Sequence, residues 1–363
     1  MKHSDVKELK HSILGALSGE KHADSLGSTL QNSLGEVGKQ RRNVRMSVGY
    51  SLLGKEYALE LRVHSKTKAL RAATSIKRRF REVNIQYVPR VHMPKETEAD
   101  LSESSDWYRS THRPLVLGCS ISHQDGGTGS LGGFVMTAET DLPCVLSCSH
   151  VLARCGIADV GDWVHQPGRL DKELSAKTRI AQLNDFTVFT TQGSNITDGA
   201  IAELKSESDI GDGNVVPDAP DLPESFVHRG EKIRLLPQGM ELQKGETVYK
   251  LGRTTGFRVG RISALSIDNL PVSVPSADGS SYTTFLFDNT LQIEWIDPNV
   301  AFSAPGDSGS LVFTERDGKL YAVGLVFAGG YSKSIENGKT VGESFACGIQ
   351  DLLERLDAAW HEE

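Results

Sequence analysis

From Arg113 onward the sequence is a succession of short apolar runs of strand length punctuated by glycine, such as Leu131–Met136, Val145–Leu146 and Tyr321–Phe327. Such a chain turns often and cannot build long helices, so it is confined to β-rich architectures. Glycine is over-represented accordingly, at 36 of 363 residues, against a usual share of about 7%. The polar stretch Ser206–Ser225, with three prolines and six acids, divides the apolar runs into two halves. Two β-barrels, at about 113–205 and 230–347 with a linker at about 206–229, account for the halves. Ile349, Leu352, Leu353, Leu356 and Trp360 then share one face of a terminal helix expected over 348–361.

Ahead of the barrels the pattern differs. Residues 1–42 read as a polar arm, with Val6, Leu9, Ile13, Leu14 and Leu17 at helical spacing. Residues 43–95 read as a small ββαβ module: a Met46–Leu53/Tyr57–Val63 hairpin turning at Gly54-Lys55, a helix over Thr67–Phe80, and a strand from Val83 interrupted by Pro89. Eight basic residues (Lys66, Lys68, Arg71, Lys77, Arg78, Arg79, Arg81, Arg90) face a single acid, Glu82. The plainer reading is a solvated helix face; the sharper is a docking surface for nucleic acid, another acidic partner or a second copy of the chain. Residues 96–112 form an acidic linker to the 113–363 body. The expected class is mainly β: a double barrel with an N-terminal α+β module and a C-terminal helix.

Bulk chemistry excludes several functions. With 40 Lys+Arg against 47 Asp+Glu the chain is mildly acidic, which argues against a protein whose main task is to coat nucleic acid. No run approaches 18 apolar residues, so no membrane partner is expected, and the N-terminus lacks the apolar run of a secretory signal. Five cysteines without a framework spacing fit a reduced, cytoplasmic protein.

The chemistry concentrates in three places. Pro305-Gly306-Asp307-Ser308-Gly309-Ser310 puts a serine on a tight turn where the N–H groups of Gly306 and Ser308 converge on one point, an oxyanion hole. A serine hydroxyl needs a base, and the base needs an orienting acid. Val145–Ala153 supplies His150 where a strand runs into a helical turn; Thr197–Leu204 supplies Asp198 just before an apolar strand.

With these residues in the order His, Asp, Ser, and with Gly127–Val135, Pro114–His123, Val248–Gly256 and Tyr321–Phe327 around them, the sequence resembles the chymotrypsin-fold (clan PA) serine peptidases. Its likeness is to the intracellular trypsin-like branch of plant narrow-leaf-type proteins and bacterial relatives. The resemblance implies Ser308 as nucleophile, His150 as general base and then acid, Asp198 as the residue fixing its tautomer, and Gly306 and Ser308 as oxyanion donors, acting on a peptide or protein substrate. No I-V-G-G-like activation motif precedes the barrel. Phe302 stands where trypsin carries its specificity acid; with Val326 and Phe327 it is the expected lining of an apolar substrate pocket. The competing reading is a peptidase-fold scaffold that holds peptides with little or no turnover, recruited through the basic module.

Three weaker signals are set aside. Gly127-x-Gly129-x-x-Gly132 precedes a strand rather than opening a helix, so it is a β-turn. Cys144, Cys148, His150 and Cys155 lack the knuckle turn of a zinc site, and in a strand Cys144 lies too far from His150. Neither metal nor organic cofactor is expected. Asn195-Ile196-Thr197 matches a glycosylation acceptor by pattern only.

Overall fold

The computed structural model describes residues 1–18, 45–65, 68–93, 106–140, 142–276, 280–334 and 338–362. Lys66 and parts of the expected arm and acidic linker lie outside them. The chain is mainly β, in two sheets, as its pattern predicts.

The smaller sheet holds β5 (Ser120–His123), β6 (Thr128–Ser130), β7 (Gly133–Thr137), β8 (Cys144–Ser147), β9 (Trp163–His165), β10 (Arg179–Phe186), β12 (Ala200–Leu204) and β22 (Ala358–Trp360), in the order β22-β7-β8-β12-β10-β9-β5-β6. The larger has fourteen strands. From the second half come β13 (Ile233–Leu235), β14 (Thr247–Lys250), β15 (Arg258–Asp268), β16 (Leu270–Pro275), β17 (Tyr282–Phe287), β18 (Thr290–Trp295), β19 (Leu311–Arg316), β20 (Lys319–Ser334) and β21 (Thr340–Gly348). The two-residue strand β11 (Ser194–Asn195) joins at β17.

The same sheet takes in β1 (Met46–Leu53), β2 (Glu56–Val63), β3 (Val83–Tyr87) and β4 (Val91–His92). The β1–β2 hairpin turns at Gly54 as its spacing predicts, and β1 continues the sheet by pairing antiparallel with β15. Helices α1 (His3–Ser18) and α2 (Lys68–Arg79) cover this extension. Val6, Leu9, Ile13 and Leu17 of α1 and Ala69, Ala72, Ala73 and Ile76 of α2 share one core with Val248, Ile262, Ile293, Phe302 and Val312 of the second half. Lys10 anchors α1 to the β15 end, its Nζ 2.8 Å from Asp268 Oδ2. Each large apolar side chain so buried contributes about 1.5–3 kcal/mol, so the N-terminal elements are structural members of the second half. The α2 face opposite that core exposes Arg71, Arg78 and Arg79.

The short helices α3 (Asp106–Arg109) and α4 (Ser149–Leu152) precede the terminal helix α5 (Ile349–Arg355). The expected helix over 348–361 thus ends early. Asp357 takes a positive φ of 45°, after which β22 pairs with β7 and the Trp360 indole N–H donates to Ile233 O at 2.8 Å. Burying Trp360 with its N–H satisfied outweighs continuing the helix. No described helix is long and apolar enough to cross a membrane.

Candidate active site

The site is assembled where the two sheets meet. β8 ends at Ser147 and α4 begins at Ser149, so His150 sits on the first turn after a fully buried strand. Asp198 lies two residues before β12, which pairs with β8, bringing the acid beside the histidine. Its carboxylate is fully buried and clamps His150 twice: Oδ2 is 2.5 Å from the ring Nδ1, and Oδ1 accepts the His150 backbone N–H at 3.1 Å. With Nδ1 committed to the acid, Nε2 is the ring atom left to take a proton.

Ser308 reaches the same place from the second half. Val326 O accepts both the Gly309 N–H, at 2.8 Å, and the Cys148 thiol, at 3.3 Å. One β20 carbonyl therefore anchors the residue after Ser308 and a residue two before His150. Gly309 has φ of +87°, and a Cβ there would lie 2.1 Å from Ser147 Oγ, so only glycine fits. Among the described residues no hydrogen bond joins Ser308 Oγ to the His150 ring; such bonds are often long in an unliganded site and tighten around substrate.

The Ser308 turn is held by groups that sequence reasoning did not single out. Ser130 N donates to Ser308 O at 2.8 Å and Ser130 Oγ to Gly306 O at 3.0 Å. With both carbonyls so engaged, the N–H groups of Gly306 and Ser308 have no partner among the described residues, which is the state an oxyanion hole requires. Between them, the buried Asp307 carboxylate accepts N–H groups of Thr254 (2.9 Å), Thr255 (3.1 Å) and Ala304 (3.0 Å) and the Thr255 hydroxyl (2.7 Å). The Lys250 ammonium, fully buried on β14, stands 3.4 Å from Asp307 Oδ2 and donates to Gly256 O at 3.0 Å. Burial lowers the Lys250 pKa to about 8, with the Asp307 charge pulling the other way. In the sequence Val248–Gly256 stands out only as a motif; the β14–β19 pairing is what makes it the cradle of Asp307.

The expected pocket residues are interior. Phe302 is fully buried, its ring against Gly260; Phe327 packs on Phe287 with centroids 4.8 Å apart; Val326 is buried and serves through its backbone. Beside Phe302, Ser303 Oγ lies 2.6 Å from Ser344 Oγ, which also accepts the Trp295 indole N–H at 3.1 Å.

The ligand atoms of Cys148, His150 and Asp198 lie within 4.8 Å of one another; Cys144 and Cys155 are not in that group. The cluster's polar contacts are already used within the protein: the His150 Nδ1 is engaged by Asp198, and the Cys148 thiol, its pKa pushed well up by burial and then by the Asp198 charge, donates to Val326 O. All five cysteines are free.

No family model and no curated protein matches the chain. Among solved structures it is similar to Nocardiopsis protease NAPase (16% identity, TM-score 0.40, covering 68% of this chain and 99% of that one). Others are Thermobifida fusca Protease A (17%, 0.39, 69% and 99%) and a glutamic acid-specific serine protease (15%, 0.38, 68% and 100%). At such identities and TM-scores these likenesses carry no weight for the activity of this chain.

Proposed function

We propose that the chain is a serine endopeptidase of the chymotrypsin-like kind, working in a reducing compartment. The observation that carries this is the double clamp of Asp198 on His150 beside a serine turn whose Gly306 and Ser308 N–H groups are unspent. In this reading the Ser308 hydroxyl attacks the scissile carbonyl as its proton passes to His150 Nε2. Asp198 holds the tautomer and stabilises the imidazolium. The two N–H groups receive the oxyanion, the imidazolium gives its proton to the leaving amine, and an ester to Ser308 remains. Water, deprotonated by His150, then releases the acid and restores the serine. The five free thiols support the compartment.

Mass-spectrometric profiling of cleavage in a denatured-protein digest tests the reading. Wild type is expected to generate new peptide termini and Ser308→Ala to generate about a millionfold fewer per unit time. Equal profiles from the two would remove the assignment.

A further inference from the structure

β20 offers two edges. One is paired to β21 from Gly324 to Lys333. The other pairs with β19 up to Leu325, meets the nucleophile turn at Val326 (Val326 N to Ser310 O, 3.0 Å; Gly309 N to Val326 O, 2.8 Å), and then continues through Gly329 and Gly330. This second edge runs directly out of the catalytic turn. An extended peptide laid along it would be led to Ser308. In this chain the edge is occupied: β4 lies on it antiparallel, with His92 opposite Gly329 and Val91 opposite Gly330.

Three features make β4 resemble a bound peptide. Its polarity is that of a strand advancing on the nucleophile, because passing from Val91 to Met93 moves it from Gly330 back toward Val326, about 10 Å from Gly329 at ~3.3 Å per residue. The approach is close: a Cβ at Gly330 would lie 2.5 Å from Arg90 O, so only glycine admits the strand. The far side of β4 is held separately, by parallel pairing to β16 and by Met93 N donating to Ser273 O at 3.0 Å. Because successive N–H groups of a strand point to opposite edges, the His92 N–H faces β20.

We infer that Val91–Met93 is a resident occupant of the β20 edge that leads to Ser308, lying where an extended peptide would, and that an incoming peptide must displace it. The inference rests on the serine-endopeptidase reading for the direction of approach, but the occupied edge can be measured without catalysis.

The test uses the full chain carrying Ser308→Ala and a fluorescein-labelled synthetic peptide, Val-Pro-Arg-Val-His-Met, copied from residues 88–93. His92→Pro deletes the one N–H of Val91–Met93 directed at β20 while leaving the Met93 bond to β16, and should tighten peptide binding at least tenfold over Ser308→Ala alone. His92→Ala, which keeps the N–H, should leave the edge closed to the peptide. Met93→Ala, which trims a buried anchor, provides a second route to the same gain should the proline variant fail to fold. Peptide affinity unchanged in both displaced variants, or raised equally by His92→Ala, overturns the inference. With Ser308 intact, a small fluorophosphonate that does not need the edge reports separately on the nucleophile. Its failure in every variant would count against the peptidase, while the peptide titration would still judge the edge.

Discussion

The Lys250–Asp307 pair allows the sharpest energetic prediction. Both groups are fully buried, and the carboxylate also accepts four hydrogen bonds. Lys250→Met removes the only cation the described residues place beside Asp307 and leaves a buried charge held by dipoles. Orphaning one member of a buried pair costs about 3–5 kcal/mol, and the four remaining donors place this case near the lower end, at about 3 kcal/mol. At ~2–4 °C per kcal/mol for a chain of this size, Tm should fall by about 6–12 °C. Turnover should fall more than stability requires, because Asp307 stands between the two oxyanion donors. In the double variant Lys250→Met/Asp307→Asn no unpaired charge remains. Its loss, measured by denaturant unfolding, should be smaller than the sum of the single losses by at least about 1.5 kcal/mol. Strict additivity would show that the two groups do not depend on each other and would refute the reasoning.

Other outcomes follow from the same geometry. Asp198→Asn, which keeps the shape but not the tautomer control, should lower turnover of a peptide substrate by about 10⁴-fold with the fold intact by circular dichroism. Ser130→Ala releases Gly306 O from the hydroxyl that holds it and should cost roughly 1–3 kcal/mol of stability in urea, with reduced turnover at unchanged KM. Glu343, buried between β20 and β18 with its pKa pushed up to about 7, first by burial, binds its proton more tightly folded than unfolded. Stability should therefore decline as pH rises from about 4.5 to 7 and level off above; Glu343→Gln should remove that decline, amounting to about 3 kcal/mol in denaturant titrations at pH 8. A wild-type curve that is flat over this window would contradict the assignment.

What the sequence disclosed and what it withheld divide along the range of the interactions. The β1–β2 hairpin, α2 and the buried face of α1 were legible because period and turn chemistry are local. His150 and Asp198 were legible as residues poised at strand ends, and their meeting follows from one strand pairing, β8 with β12. The fusion of residues 46–92 into the large sheet was not, since the β1–β15 register joins residues over two hundred positions apart and neither strand names its partner. The supports of the nucleophile turn, Ser130, Lys250 and Thr255, were hidden for the same reason: serine, lysine and threonine acquire these roles only through burial and neighbours. The rings of Phe302 and Phe327 show the converse, since an apolar residue at a suggestive spacing is claimed by the core before it can line a cleft.

The most direct test of the central claim is labelling of the folded, full-length chain with a fluorescent fluorophosphonate, comparing wild type with Ser308→Ala and His150→Ala. The account predicts a single modified residue, Ser308, in the wild type and no labelling in either variant. Labelling that persists in His150→Ala at the wild-type rate would contradict it, since the hydroxyl would then owe its reactivity to something other than the His150–Asp198 pair.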